Sequence, residues 1–72
     1  MDYNETLMAT TSMNLDIIKE KYKSLYIKII MWVATDNYNF DDDDIAIMRK
    51  YGLMNQNGEI IKQVKDAVML EL

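Results

Sequence analysis

The sequence predicts an all-α domain of three helices, and three observations carry that prediction. Leu15, Ile18, Tyr22, Leu25, Ile29 and Trp32 recur at alternating spacings of three and four, which is the period of one helical face. Asp41, Asp42, Asp43 and Asp44 stand immediately before a short apolar pattern that ends at Gly52, so a second, shorter helix has both its start and its stop written in local residues. Beyond the Asn57-Gly58 turn signal, Ile61, Val64 and Val68 return to helical spacing.

Taken in order, residues 1–13 read as a partly ordered arm, because Leu7 and Met8 are its main apolar pair and Thr10, Thr11 and Ser12 interrupt a helix. The single helical domain then covers residues 14–72. Asn14 serves as N-cap of the first helix, Asp16 lies in the first turn where the dipole favours an anion, and Met13 can staple onto Ile18. The helix runs over residues 15–35. Ile17, Tyr26, Ile30 and Val33 widen its stripe into a face that needs neighbours on two sides, as in a globular helical domain.

For the second helix, residues 42–51, Asp41 is the N-cap and the next three aspartates fill the first turn, where unpaired N–H groups and the positive end of the dipole favour carboxylates. Phe40 and Ile45 take the two positions of a hydrophobic staple. At the other end Gly52 suits the left-handed residue after the helix, Leu53 closes onto Met48, and Arg49 and Lys50 have the right sign for the last turn. A two-residue hairpin is an option for residues 53–61, but the spacing of Ile61, Val64 and Val68 favours a loop leading into a third helix over residues 59–71.

Composition limits what such a domain can do. Leu, Ile, Val and Phe fill 19 of 72 positions, above the roughly 20% below which disorder is the default. Without cysteine or histidine the chain has no disulfide framework and no soft metal site, and the missing cysteine fits a reducing, cytoplasmic compartment. The opening residues lack the basic and apolar regions of a signal peptide. Residues 25–34 are the most apolar run, too short for the about 20 residues of a membrane span and interrupted by Lys28.

The aspartate run invites a calcium reading, since Asn37, Asn39, Asp41 and Asp43 alternate as in the start of a calcium loop. The match then fails, with Asp42 where glycine is required and Met48 where the bidentate glutamate belongs. Capping and solvation account for these residues, and no cofactor or metal is expected. Catalysis has as little to stand on: there is no His or Cys, no Ser or Thr beside a base, no Gly-rich loop, and the paired carboxylates lack the burial that separates acid from base.

A net charge of −4 without a basic block argues against nucleic acid as a direct ligand. The helix-turn-helix outline of residues 45–71 has too long a turn, and its leading helix would meet DNA with four carboxylates. What is left is a small acidic module whose function is to bind a protein, an inhibitor or regulator of the kind common among accessory proteins of phages and mobile elements, with an acidic patch that occupies a basic nucleic-acid site of a host factor. A small DNA-binding regulator is the alternative. The expected partner surface combines Asp36, Asp41, Asp42, Asp43 and Asp44 with Tyr26, Met31, Tyr38 and Tyr51. A two-fold dimer is also expected. A first helix of that length spans about 31 Å, and its short neighbour would leave apolar surface bare near Tyr26, Ile30 and Val33.

Overall fold

The computed structural model describes residues 2–36 and 39–71. The chain is all-helical, as the sequence predicts, but it is built from four helices: α1 (Tyr3–Lys21), α2 (Lys23–Thr35), α3 (Asp42–Lys50) and α4 (Lys62–Glu71).

Helix α1 begins eleven residues before the expected N-cap, Asn14. Asp2 is the cap: its carboxylate accepts from the Glu5 backbone N–H at 2.8 Å, and Glu5 adds a first-turn anion. Helical structure therefore runs from Tyr3 through the stretch expected to be a partly ordered arm. Thr10, Thr11 and Ser12 do not break it, because Thr11 falls on the buried stripe four residues before Leu15. Asn14 lies inside the helix, and its side-chain amide donates to the Tyr51 carbonyl at 2.9 Å. Met13, expected to staple onto Ile18, is exposed.

The expected helix over residues 15–35 is divided at Tyr22, whose backbone (φ −130°, ψ 62°) leaves the helical region. The bend costs Tyr22 neither of its own bonds. Its N–H still donates to Ile18 at 2.7 Å and its carbonyl still accepts from Tyr26 at 3.0 Å. No glycine or proline marks the site; the reason is tertiary. A straight helix from Tyr3 to Thr35 would measure about 50 Å, whereas the longest dimension of the molecule is 35 Å. The bend lets α2 pack against α1 and both pack against α4. It also re-aims the stripe, so that Leu15 and Ile18 are followed in the core by Leu25, Tyr26, Ile29 and Val33, and Trp32 is only partly buried.

Helix α3 follows its local signals closely. Asp41 and Asp44 form a reciprocal capping box, with the Asp44 N–H donating to the Asp41 carboxylate at 2.8 Å and the Asp41 N–H to the Asp44 carboxylate at 3.2 Å. Gly52 is left-handed (φ 69°), and the bonds Gly52 N–H to Arg49 and Leu53 N–H to Met48 complete a Schellman closure over two fully buried side chains, Met48 and Leu53.

The segment from Leu53 to Ile61 is less open than the expected loop. Met54 and Ile60 form a single antiparallel bridge, and Ile61 donates to Leu53 at 2.9 Å. The Asn55 carboxamide accepts from the N–H groups of Asn57 and Glu59, and Gly58 (φ 80°) makes the turn. The closure occupies Glu59 and Ile60, which is why α4 starts at Lys62 and not at residue 59. Val64, Ala67 and Val68 of α4 complete the core. Of Tyr26, Ile30 and Val33, where bare apolar surface was expected, Tyr26 and Val33 are each 9% exposed and Ile30 is partly buried, so the chain covers most of that surface itself.

Candidate functional site

The four aspartates divide into two kinds. Asp44 is 8% exposed and turns inward, where the Lys28 ammonium of α2 lies 2.7 Å from its carboxylate. Lys28 also stands 3.6 Å from Asp41. The Asp41 carboxyl is held below the usual carboxylate range, chiefly by the Asp44 N–H that donates to it; slight desolvation opposes this and Lys28 adds to it. Asp42 and Asp43 are exposed in the first turn, and among the described residues neither has an ion-pair partner. Asp36, left-handed at the end of α2, lies 3.8 Å from Lys65.

Among the described residues the aromatic and methionine candidates differ in exposure. Tyr26 is inside, its hydroxyl donating to Glu71 at 3.0 Å and its ring beneath the Lys19 ammonium. Burial, followed by the hydrogen bond to Glu71, pushes its phenol up to about 12. Tyr51 is partly buried, edge-on to Tyr22 with ring centroids 6.3 Å apart. Met31 is 45% exposed, one turn along α2 from the exposed Ile27. Tyr38 lies outside the described residues.

A second feature had no signature in the sequence. The end of α2, the start of α3 and the bridged loop enclose an open cleft of about 400 Å³. Trp32 and Phe40 supply aromatic walls, Ile45, Met54 and Ile60 apolar lining, and Glu59 a carboxylate. The staple pair Phe40 and Ile45 forms one side of it, and Trp32, Met54, Glu59 and Ile60 come from segments distant in the chain.

Among the described residues, no three Asp or Glu side chains converge as metal ligands, and no helix is long and apolar enough to cross a membrane. The chain matches no family model, no curated protein and no solved structure.

Proposed function

We propose that this chain is a non-enzymatic, acidic protein-binding module that inhibits or regulates a larger protein. The observation that supports the reading best is the division within the aspartate run. Asp41 and Asp44 serve the cap and the tie to Lys28, whereas Asp42 and Asp43 add exposed negative charge that the fold uses only weakly, through the dipole of α3. Such charge steers a basic partner to the surface. The finer reading, an accessory protein of a phage or mobile element that blocks a nucleic-acid-binding host factor, rests on size and charge. Self-association as a two-fold dimer belongs to the same proposal, with Ile27 and Met31 of α2 among the exposed apolar residues it could cover.

The alternative, a small helix-turn-helix-like DNA-binding regulator, has less to rest on. Two of its lysines have carboxylate partners within the chain: Lys28 faces Asp41 and Asp44, and Lys65 faces Asp36 and the Trp32 ring. At these two positions lysine and aspartate stand side by side, which disfavours phosphate binding there.

Immobilised protein challenged with lysate, beside labelled DNA duplexes at low salt, tests the two readings together. Stoichiometric retention of one protein, lost in the Asp42→Asn, Asp43→Asn double variant, supports the module. Retention of DNA without a protein overturns it. Light scattering that returns 8.5 kDa at tens of micromolar removes the dimer.

A further inference from the structure

The joint between α1 and α2 is a single residue, Tyr22, and nothing in its neighbourhood demands a joint. Glu20, Lys21 and Lys23 are good helix formers, and no glycine or proline lies between Tyr3 and Thr35. Leu15, Ile18, Tyr22, Leu25, Ile29 and Trp32 keep the spacing of one continuous helix straight through it. Yet the bonds that a continuous helix carries across such a point are not made. The N–H groups of Lys23, Ser24 and Leu25 do not reach the carbonyls of Lys19, Glu20 and Lys21, and Tyr22 brings no side-chain cap to α2. What holds the bend is contact away from it: Leu15 and Ile18 lie in the core, Asn14 donates to the Tyr51 carbonyl, and Gln63 of α4 donates to Asn4 at 3.2 Å.

We propose that α1 is exchangeable: two copies of this chain pair by straightening at Tyr22, so that each lends its α1 to the α2 and α4 of the other. A helix that runs unbroken from Tyr3 to Thr35 measures about 50 Å, beyond the 35 Å of the folded chain, and it carries α1 clear of its own core. A second copy opened in the same way offers the identical dock. Each contact of α1 is then remade between chains, and the two-fold relation makes the two exchanges equivalent. The backbone bonds missing at the bend are gained in both chains, which offsets the freedom lost when two molecules become one. A very short joint between packed elements favours this outcome. Such a dimer is held by α1 and not by the exposed Ile27 and Met31, and it forms whether or not the chain binds another protein.

Refolding from denaturant at micromolar and at millimolar chain, followed by dilution and light scattering, reads the exchange. High concentration should trap a species of twice 8.5 kDa that outlives dilution, because α1 must leave its dock before the chains can part. The chain has no cysteine, so contact across chains is read by placing one. Asn4→Cys and Gln63→Cys variants, refolded together and treated with a short bis-maleimide after dilution, should give a covalent pair of the two variants, since Asn4 of one copy then stands beside Gln63 of the other. Lys23→Pro separates the two arrangements. Lys23 is the first residue of α2 and its N–H is unbonded in the bend, where proline is tolerated, whereas in a straight helix proline removes a bond and meets the Lys19 carbonyl. That variant should keep the wild-type circular dichroism and refold only as monomer. Ser24→Ala, an exposed change that favours helix across the joint, should raise the exchanged fraction about twofold to fivefold. A mass of 8.5 kDa after refolding at every concentration overturns the exchange and the two-fold dimer together. A dimer in which the two cysteine variants do not join, or one formed equally by a folded Lys23→Pro, overturns the exchange alone and leaves a pairing over Ile27 and Met31. Should Lys23→Pro fail to fold, the cross-link between the two variants decides.

Discussion

The Lys28 ammonium of α2 lies 2.7 Å from the carboxylate of Asp44 in the first turn of α3, the one ion pair of the described residues with an almost buried member. Two short helices are tied at this point. Lys28→Met removes the counter-charge and leaves the Asp44 carboxylate at a poorly solvated site, so it should destabilise the fold by about 1 to 3 kcal/mol, less than for a fully buried pair because Lys28 keeps some exposure. Urea denaturation checks this, and an unchanged midpoint would show that the pair is ornamental to stability.

Ile29 has no exposed surface and sits in α2 where the core is closed by α1 and α4. Ile29→Ala should cost about 2 to 5 kcal/mol, from lost burial together with the cavity left behind. For a domain of this size that is a large part of the total stability, so a collapse in melting temperature is expected. Thermal unfolding followed by circular dichroism gives the answer; a melt like that of the wild type contradicts the packing described above.

Both ends of α3 could be read from the sequence because their causes lie within three to five residues, Asp41 with Asp44 and Met48 with Gly52 and Leu53. The bend at Tyr22 could not. Nothing in the tyrosine or its neighbours disfavours a helix, and the decision belongs to the packing of α2 and α4 on α1. The early start of α1 did have a local signal in the spacing of Asp2 and Glu5, outweighed by the loop-like look of Thr10, Thr11 and Ser12. For the candidate site, the sequence singled out the aspartates but not their division, since burial of Asp44 depends on where α2 puts Lys28. The cleft was invisible for the same reason, being assembled from residues 32, 39, 40, 45, 54 and 58–60.

Tyr26 should carry a signature at high pH. Its folded-state value, about 12 against an ordinary 10.0, means that the neutral phenol is favoured by burial and by its bond to Glu71. The contribution is fully present below about pH 10 and is lost as pH rises through the folded value. Ultraviolet titration of the tyrosinate band should therefore show one late component that Tyr26→Phe removes. A titration curve unchanged by that substitution would place the late ionisation elsewhere.

Asp41 governs the acid side. Its carboxyl is depressed mainly by the Asp44 N–H, so its charged form stabilises the fold above the unfolded-state value of about 3.9, and that contribution is lost as pH falls through the lower folded value. Stability should hold from neutrality to about pH 5 and decline below it. Asp41→Asn keeps a side-chain oxygen to accept from Asp44 but carries no charge, and should flatten the decline. Chemical denaturation at a series of pH values reads this directly, and an acid limb unaltered in Asp41→Asn would assign it to another carboxylate.

Asp42 and Asp43 separate steering from stability. Both are exposed in the first turn of α3 and neither belongs to the capping box or to the Lys28 pair. Asp42→Asn with Asp43→Asn is nearly isosteric, so the fold should lose only a weak interaction with the helix dipole and melt close to the wild type. Association with a basic partner should change in its rate. Long-range attraction by two exposed carboxylates speeds encounter at low salt and is screened within roughly 8 Å at physiological ionic strength. The double variant should bind more slowly at low salt, depend less on ionic strength, and converge on the wild type as salt is raised, with dissociation little affected. Stopped-flow association over a salt series measures these together. An on-rate identical in the two proteins at low salt would reduce Asp42 and Asp43 to the helix start they occupy, and would move the partner surface to the Trp32 and Phe40 cleft or to the α2 face of Ile27 and Met31.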